Sequence, residues 1–169
     1  MQKIEIWKNN VFPSNLKPTD ARTAIQATIG RTLSYPLPAT ALTKAQCKNI
    51  NSLLVKYALP KAGIVRTAPS SLVFSPEDIM GFGLKDIETE QMSEHIYMML
   101  EHGSEDTVTG QLIRNLCEGI VLQCGVGGDI FDLHSSFCTW VEENWVWSTI
   151  RSMEDLNINI THGMEQLVK

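Results

Sequence analysis

Acidic residues are nearly missing from the first 66 positions of this chain, where only Glu5 and Asp20 stand against ten of its fourteen Lys and Arg residues, a net charge of +8. Residues 67–169 reverse the balance with four basic and seventeen acidic side chains, −13, and the overall charge of −5 hides the split. Surface ion pairs contribute only about 0–1 kcal/mol each, so internal pairing of the two parts does not account for the segregation. A basic surface for a polyanion or an acidic partner, carried beside an acidic body, does. Long apolar runs are missing as well: none approaches the ~18 residues that a membrane span needs. The opening MQKIEIWKNN lacks the apolar core of a secretory signal, so the expected location is intracellular, cytoplasmic or nuclear. Cysteine is scarce, and Cys47, Cys117, Cys124 and Cys138 read as reduced, buried thiols. There is no internal repeat and no low-complexity tract, and 43% hydrophobic with 20% charged residues is ordinary for one globular domain.

Catalytic signatures are missing too. Gly81-Phe82-Gly83 and Gly125-Val126-Gly127-Gly128 form neither a dinucleotide fingerprint nor a phosphate loop with its lysine, and they read as turns. Cys124, His134 and Cys138 do not make the four paired, closely spaced ligands of a structural zinc site. No nucleophile–histidine arrangement has a local signature. No catalytic residue, metal or cofactor is assigned. His95 and His102, seven residues apart on one helix, read as a solvated pair.

What is present is helical periodicity on either side of a broken segment. Pro60–Leu84 holds three of the seven prolines and three of the eleven glycines. Proline fixes φ and pushes its predecessor toward extended backbone, and glycine admits positive φ. The expectation is an irregular or two-stranded insert, with short extended runs at Ile64–Arg66 and Ser71–Phe74. Upstream, residues 1–16 are expected to form a short strand or a frayed end around Lys3–Trp7. A first helix starts at Pro18 with Thr19 or Asp20 as cap and buries Ala21, Ile25, Ile29 and Leu33. A second starts at Thr43, where Gln46 completes a capping-box pattern. It buries Ile50, Leu53, Leu54 and Tyr57 and stops at Pro60. Downstream, a third helix is expected over Asp86–His102 with Met92, Ile96, Met99 and Leu100 inward. A fourth runs from a cap at Thr107 or Thr109 to about Cys124, with a wide apolar arc marking it as central. A fifth runs over about Phe137–Met153, and a short strand is expected at Asn157–Ile160. The fold class is mostly α, about five helices with a short irregular or two-stranded insert between helices two and three, in a single domain. Within it, 1–59 is a basic helical block, 60–84 a hinge and 85–169 an acidic helical block.

Two candidate surfaces emerge. Lys44, Lys48, Ser52 and Lys56 recur every four residues on the second helix and share one face with no acid beside them. With Lys61 and Arg66 they suit a phosphate backbone; a plain solvated face is the alternative. Trp140, Trp145 and Trp147 are spread around the fifth helix, which is therefore either covered on several sides or presents an aromatic side chain to a protein partner.

One series of short motifs runs through the chain. It comprises Tyr35-Pro36-Leu37-Pro38-Ala39-Thr40, Leu42-Thr43 with Cys47 following, Leu59-Pro60-Lys61-Ala62-Gly63-Ile64, Arg66, Pro69, Val73-Phe74, Pro76 and Gly81-Phe82-Gly83-Leu84. It continues with Thr109-Gly110-Gln111-Leu112-Ile113-Arg114, then Thr139-Trp140-Val141 followed by Trp145 or Trp147. Over about residues 20–160 it resembles the thumb or connection segment just C-terminal to the palm in reverse-transcriptase polyproteins of eukaryotic retrotransposons. The chain departs from that pattern at Pro69-Ser70, where the family has Pro-Arg, at Ser75-Pro76 in place of Gly-Pro, and at Met80-Gly81 in place of a double glycine. Ser70 thus stands where the family pattern implies an arginine contact to nucleic acid. The family's catalytic palm, with its paired metal-binding aspartates, has no counterpart here. The resemblance therefore implies a helical clamp that binds an RNA–DNA or DNA duplex and does no chemistry, with a palm or another protein as its neighbour. It also implies that the chain is a gene remnant or a domesticated fragment. The competing reading is a helical protein-interaction module centred on the tryptophans.

Overall fold

A computed structural model describes residues 2–125, 127, 130–132 and 135–158. The chain is mostly helical, and among the described residues there is no strand. It forms two compact units, residues 1–91 and 92–169.

The first unit begins with α1 (Gln2–Val11), a helix where a strand or frayed end was expected. Ile4 and Trp7 are the buried pair, three residues apart on one face. Five residues of weak alternation carry too little periodicity to separate helix from strand; burial of these two side chains decides it. α2 (Pro18–Ala24) continues through a π-helical stretch, Ile25–Gly30, into α3 (Arg31–Ser34). Pro18 opens it in the first turn, where a missing N–H costs nothing, and neither Thr19 nor Asp20 serves as cap: the capping position is Lys17, with no side-chain bond. Ala21, Ile25 and Ile29 are buried as the four-residue spacing predicts. The widened turn carries Thr28, whose hydroxyl accepts from Trp7 Nε1 at 2.9 Å and donates to the Ala24 carbonyl.

After a 3₁₀ turn at Leu37–Ala39 comes α4 (Lys44–Lys61). Its capping box is complete: Gln46 N–H donates to Thr43 Oγ1 at 3.3 Å, and Thr43 N–H donates to Gln46 Oε1 at 2.8 Å. The helix runs one residue beyond Pro60, and its buried side chains are Cys47, Leu54, Ala58 and Leu59, with Ile50, Leu53 and Tyr57 only partly covered.

The segment expected to be a hinge is tied into the first unit. Ile64–Arg66 is not extended strand but loop and turn, and residues 71–74 lie in a short helix, α5 (Ser70–Phe74), rather than an extended run. Pro69 sets the entry, and Leu72 and Val73 N–H both donate to its carbonyl. A turn at Glu77–Ile79 leads to Met80 in the left-handed region (φ 63°). Of Leu72-Val73-Phe74, Val73 is buried, Phe74 partly covered and Leu72 exposed; Val73, Phe82 and Leu84 enter the core with Ile4, Ile25, Leu37, Leu59 and Ile87. Arg22 Nη2 reaches the Phe82 carbonyl at 3.0 Å and Glu77 Oε1 at 2.8 Å, and Gln26 Nε2 donates to the same carboxylate oxygen at 2.6 Å.

α6 (Ile87–His102) starts in the first unit. Asp86 caps it, accepting from Thr89 N–H at 2.9 Å, and Asn51 Oδ1 accepts from Ile87 N–H at 3.1 Å. Gln91 pairs with both backbone groups of Leu42.

In the second unit, α7 (Val108–Cys124) is the central helix that its apolar arc predicts. Thr107 caps it, and Gly125 (φ 68°) ends it in the left-handed conformation. Ile113, Cys117, Ile120 and Cys124 are buried, whereas Leu112 on α7 and Leu100 on α6 are exposed. Gly110 is required in the first turn: a Cβ there would lie 2.2 Å from the Glu105 carbonyl oxygen. The last helix, α8 (Trp145–Asp155), starts later than expected. It is capped by Asn144, and it follows 3₁₀ turns at Ile130–Asp132 and Ser135–Phe137. Val146, Trp147, Ile150 and Met153 pack inward. His95 is also buried rather than solvated. Its Nδ1 is 3.1 Å from Thr149 Oγ1 and its ring meets Trp145 edge-on at 5.1 Å. The expected strand at Asn157–Ile160 and the histidine at 134 fall wholly or partly outside the described residues. No helix of the described residues is long and apolar enough to cross a membrane.

Candidate nucleic-acid interface

The first unit holds eleven basic and seven acidic residues, a net charge of +4, and the second three basic and twelve acidic, −9. The cations of the first unit are most concentrated along α4. The capping box fixes the first turn and puts Lys44, Lys48, Ser52 and Lys56 on one exposed edge. Lys44 Nζ lies 3.8 Å from Glu88 Oε1, with the lysine side chain largely in solvent and the glutamate partly covered. Lys48 is exposed, and Ser52 turns its hydroxyl back to the Lys48 carbonyl at 2.8 Å. Lys56 Nζ sits 5.4 Å from the centre of the Tyr57 ring, and Lys8 Nζ from α1 sits 4.9 Å from the same ring. A cation over an aromatic face is stabilised by the ring quadrupole, so two ammonium groups are gathered at one tyrosine.

A groove of about 510 Å³ opens beside this edge, lined by Lys44, Lys48, Val55, Phe74, Asp86 and Glu88 among others. Its acids are engaged in the fold: Asp86 caps α6 and Glu88 faces Lys44. Cys47, on the buried side of α4, has its thiol pushed up to about 11 by burial, with Glu88 and Asp86 adding to the effect, so it stays protonated near neutrality.

Of the five cations proposed from sequence, Lys44, Lys48 and Lys56 share one helix edge, and Arg66 is exposed in the turn after α4. Lys61 stands apart from them: its ammonium donates to the Phe12 carbonyl at 3.1 Å and to the Ser14 carbonyl, at the end of α1. Lys8 is the cation that sequence reasoning missed. It stands in a segment read as a strand or frayed end, and nothing local connects it to Tyr57, 49 residues away.

The tryptophans are also dispersed by the fold. Trp147 is 2% exposed, a core residue of the second unit and not a contact surface. Trp145 is half-buried against His95. Only Trp140, 64% exposed, faces solvent. Its indole is held by Nε1 donating to the Gln123 carbonyl at 2.8 Å, and Glu142 N–H donates to Gln123 Oε1 at 2.9 Å. Leu122, the residue before Gln123 in α7, is 80% exposed.

Among the described residues no group of three or more His, Cys, Asp or Glu side chains gathers where a metal could be held. A row of exposed ammonium groups along a helix can neutralise phosphates. Comparison of the chain with protein-family models, with curated proteins and with solved structures finds no match.

Proposed function

We propose that the first unit is a non-catalytic, thumb-like module that binds the backbone of a nucleic-acid duplex, of the kind that the resemblance to retrotransposon reverse transcriptases implies. The observation that carries this reading is the exposed lysine edge of α4, extended by Lys8 at the shared Tyr57 ring. The contacting groups are Lys44, Lys48, Lys56, Lys8 and Arg66. The Lys44–Glu88 contact does not compete strongly, because an exposed pair of this kind contributes about 0–1 kcal/mol and a phosphate can replace it. On this reading the module holds substrate and performs no chemistry of its own. It acts inside the cell, in cytoplasm or nucleus, beside a polymerase palm or another protein that the acidic second unit faces.

The test is binding of the full chain to a fluorescent RNA–DNA duplex across a salt series. The expected result is an affinity that falls steeply with salt. The triple variant Lys44→Glu, Lys48→Glu, Lys56→Glu is expected to lose most binding. Three single changes to Ala are each expected to lower the salt slope by about 1. Absence of binding at low salt overturns the reading.

A second reading rests on one observation, the exposed Trp140 held by its bond to the Gln123 carbonyl. An aromatic anchor held at a fixed angle suits a protein partner, and such binding is expected to be insensitive to salt and to the α4 lysines.

A further inference from the structure

The end of α7 and the turn that carries Trp140 are joined by two hydrogen bonds to one residue, Gln123. Trp140 Nε1 and Glu142 N–H both donate to Gln123, one to its carbonyl and one to its side chain. One residue along α7 is Cys124, and two residues before Trp140 is Cys138. Both are free and buried in the same apolar cluster, and the Cys138 thiol is near enough to act on that of Cys124. Two neighbouring thiols, on segments held together by the bonds to Gln123, are placed to form a disulfide.

We propose that Cys124 and Cys138 are a dithiol–disulfide exchange site that reacts with low-molecular-weight disulfides and, once oxidised, locks the Trp140 turn to the end of α7. Cys124 is 8% exposed and Cys138 3%, so Cys124 is the entry point. In the first step the Cys124 thiolate attacks one sulfur of the small disulfide, the S–S bond breaks, and one small thiolate leaves. In the second step Cys138 loses its proton and attacks the Cys124 sulfur of the mixed disulfide, expelling the second small thiolate. The two protein thiols are oxidised by two electrons, the small disulfide is reduced to two thiols, and the two protons pass to the leaving thiolates. Burial, together with the neighbouring Cys138, pushes the Cys124 thiol up to about 11, so the reaction near neutrality is slow and is expected to speed up about tenfold per pH unit while the thiolate remains the minor form. The other two cysteines sit apart from this exchange. Cys47 is in the first unit, and Cys117 lies two turns up α7 from Cys124.

The experiment is incubation of the full chain with glutathione disulfide at several pH values, followed by acid quench, unfolding, alkylation and mass spectrometry. The expected result is loss of two alkylatable thiols of the four, with a single disulfide-linked peptide pair mapping to Cys124 and Cys138. Cys138→Ser is expected to stop at a stable glutathione adduct on Cys124, and Cys124→Ser to leave all of its three thiols unmodified. Phenylarsine oxide, which bridges two adjacent thiols, is a second probe that needs no substitution, and it is expected to protect the same pair from alkylation. Four alkylated thiols after prolonged exposure at high pH would overturn the proposal. So would a glutathione adduct on the wild type that does not resolve, or a disulfide that involves Cys47 or Cys117.

Discussion

The two units of this chain bury their cores by different means. The first is basic and combines one long helix, α4, with shorter helices and turns. Polar groups far apart in sequence fasten it: Arg22 and Gln26 to Glu77, Trp7 to Thr28, Asn51 to Asp86, Gln91 to Leu42, and Lys61 to the end of α1. The second is acidic and is organised on one apolar helix, α7, with Met99, Val146, Trp147 and Ile150 around it. Its side-chain hydrogen bonds between separate segments join His95 to Thr149, Ser135 to Glu154, Arg114 to Gly103 and Glu105, and Trp140 and Glu142 to Gln123. The difference shows that irregular backbone can be built into a core when side chains answer its carbonyl and amide groups, because an unpaired buried backbone group costs about as much as a lost hydrogen bond.

That contrast can be broken most sharply in the second unit. Trp147→Ala removes a large side chain from the core around α7 and is expected to cost about 3–5 kcal/mol by denaturant unfolding. Trp140→Ala, on the exposed ring, is expected to cost within about 1 kcal/mol; equal losses would mean that the two tryptophans are not divided between core and surface. Next in size are the two close-packed glycines. A Cβ at Gly81 would lie 2.0 Å from the Ser75 carbonyl oxygen, and one at Gly110 would lie 2.2 Å from that of Glu105. Both meet backbone, which cannot swing aside, so Gly81→Ala and Gly110→Ala are each expected to destabilise by about 3 kcal/mol. Gly119, with open space around it, is the control, and its change to Ala is expected to be neutral or stabilising.

Smaller effects separate structural from binding cations. Lys61→Ala is expected to lose about 1.5 kcal/mol of stability, because the Phe12 and Ser14 carbonyls lose a charged donor. Lys48→Ala is expected to leave stability unchanged and to lower the salt slope of duplex binding instead. The reverse pattern would remove α4 from the proposed interface. The smallest effect is in acid. The Gln26 side-chain hydrogen bond, followed by the Arg22 guanidinium, holds the Glu77 carboxyl below its usual value of 4.5. A depressed carboxyl contributes stability that is present above the usual value and is lost as pH falls through the lower, folded value. Glu77→Gln is therefore expected to flatten the acid limb of a stability–pH profile below about pH 4.5 and to change little at neutrality.

Much of the helical layout is legible in the residues themselves. Thr43 with Gln46, Thr107 before the α7 arc, and Gly125 after it are local devices, each satisfied within a few residues, and all three occur where the pattern predicts. The Ala21, Ile25, Ile29 spacing also survives a local change of helix type at Ile25–Gly30, because burial depends on the side of the helix more than on its hydrogen-bond pitch. The candidate interface was legible in part, since Lys44, Lys48 and Lys56 share an edge through spacing alone. Lys8 was not legible, because its place beside Tyr57 depends on how α1 packs.

By itself, then, the sequence determined the helical class, most helix starts and stops, the segregation of charge and the lysine row of α4. These follow from capping chemistry, apolar period and counting, all local quantities. Tertiary structure alone decided that Lys3–Trp7 is helical, that Leu72-Val73-Phe74 coils rather than extends, and that Trp147 and His95 are inside while Leu100 and Leu112 are outside. It also decided that Lys61 serves two distant carbonyls and that Cys124 meets Cys138. Each of these outcomes depends on a partner far away along the chain, and the free energy of burying or pairing a group is not set until that partner arrives.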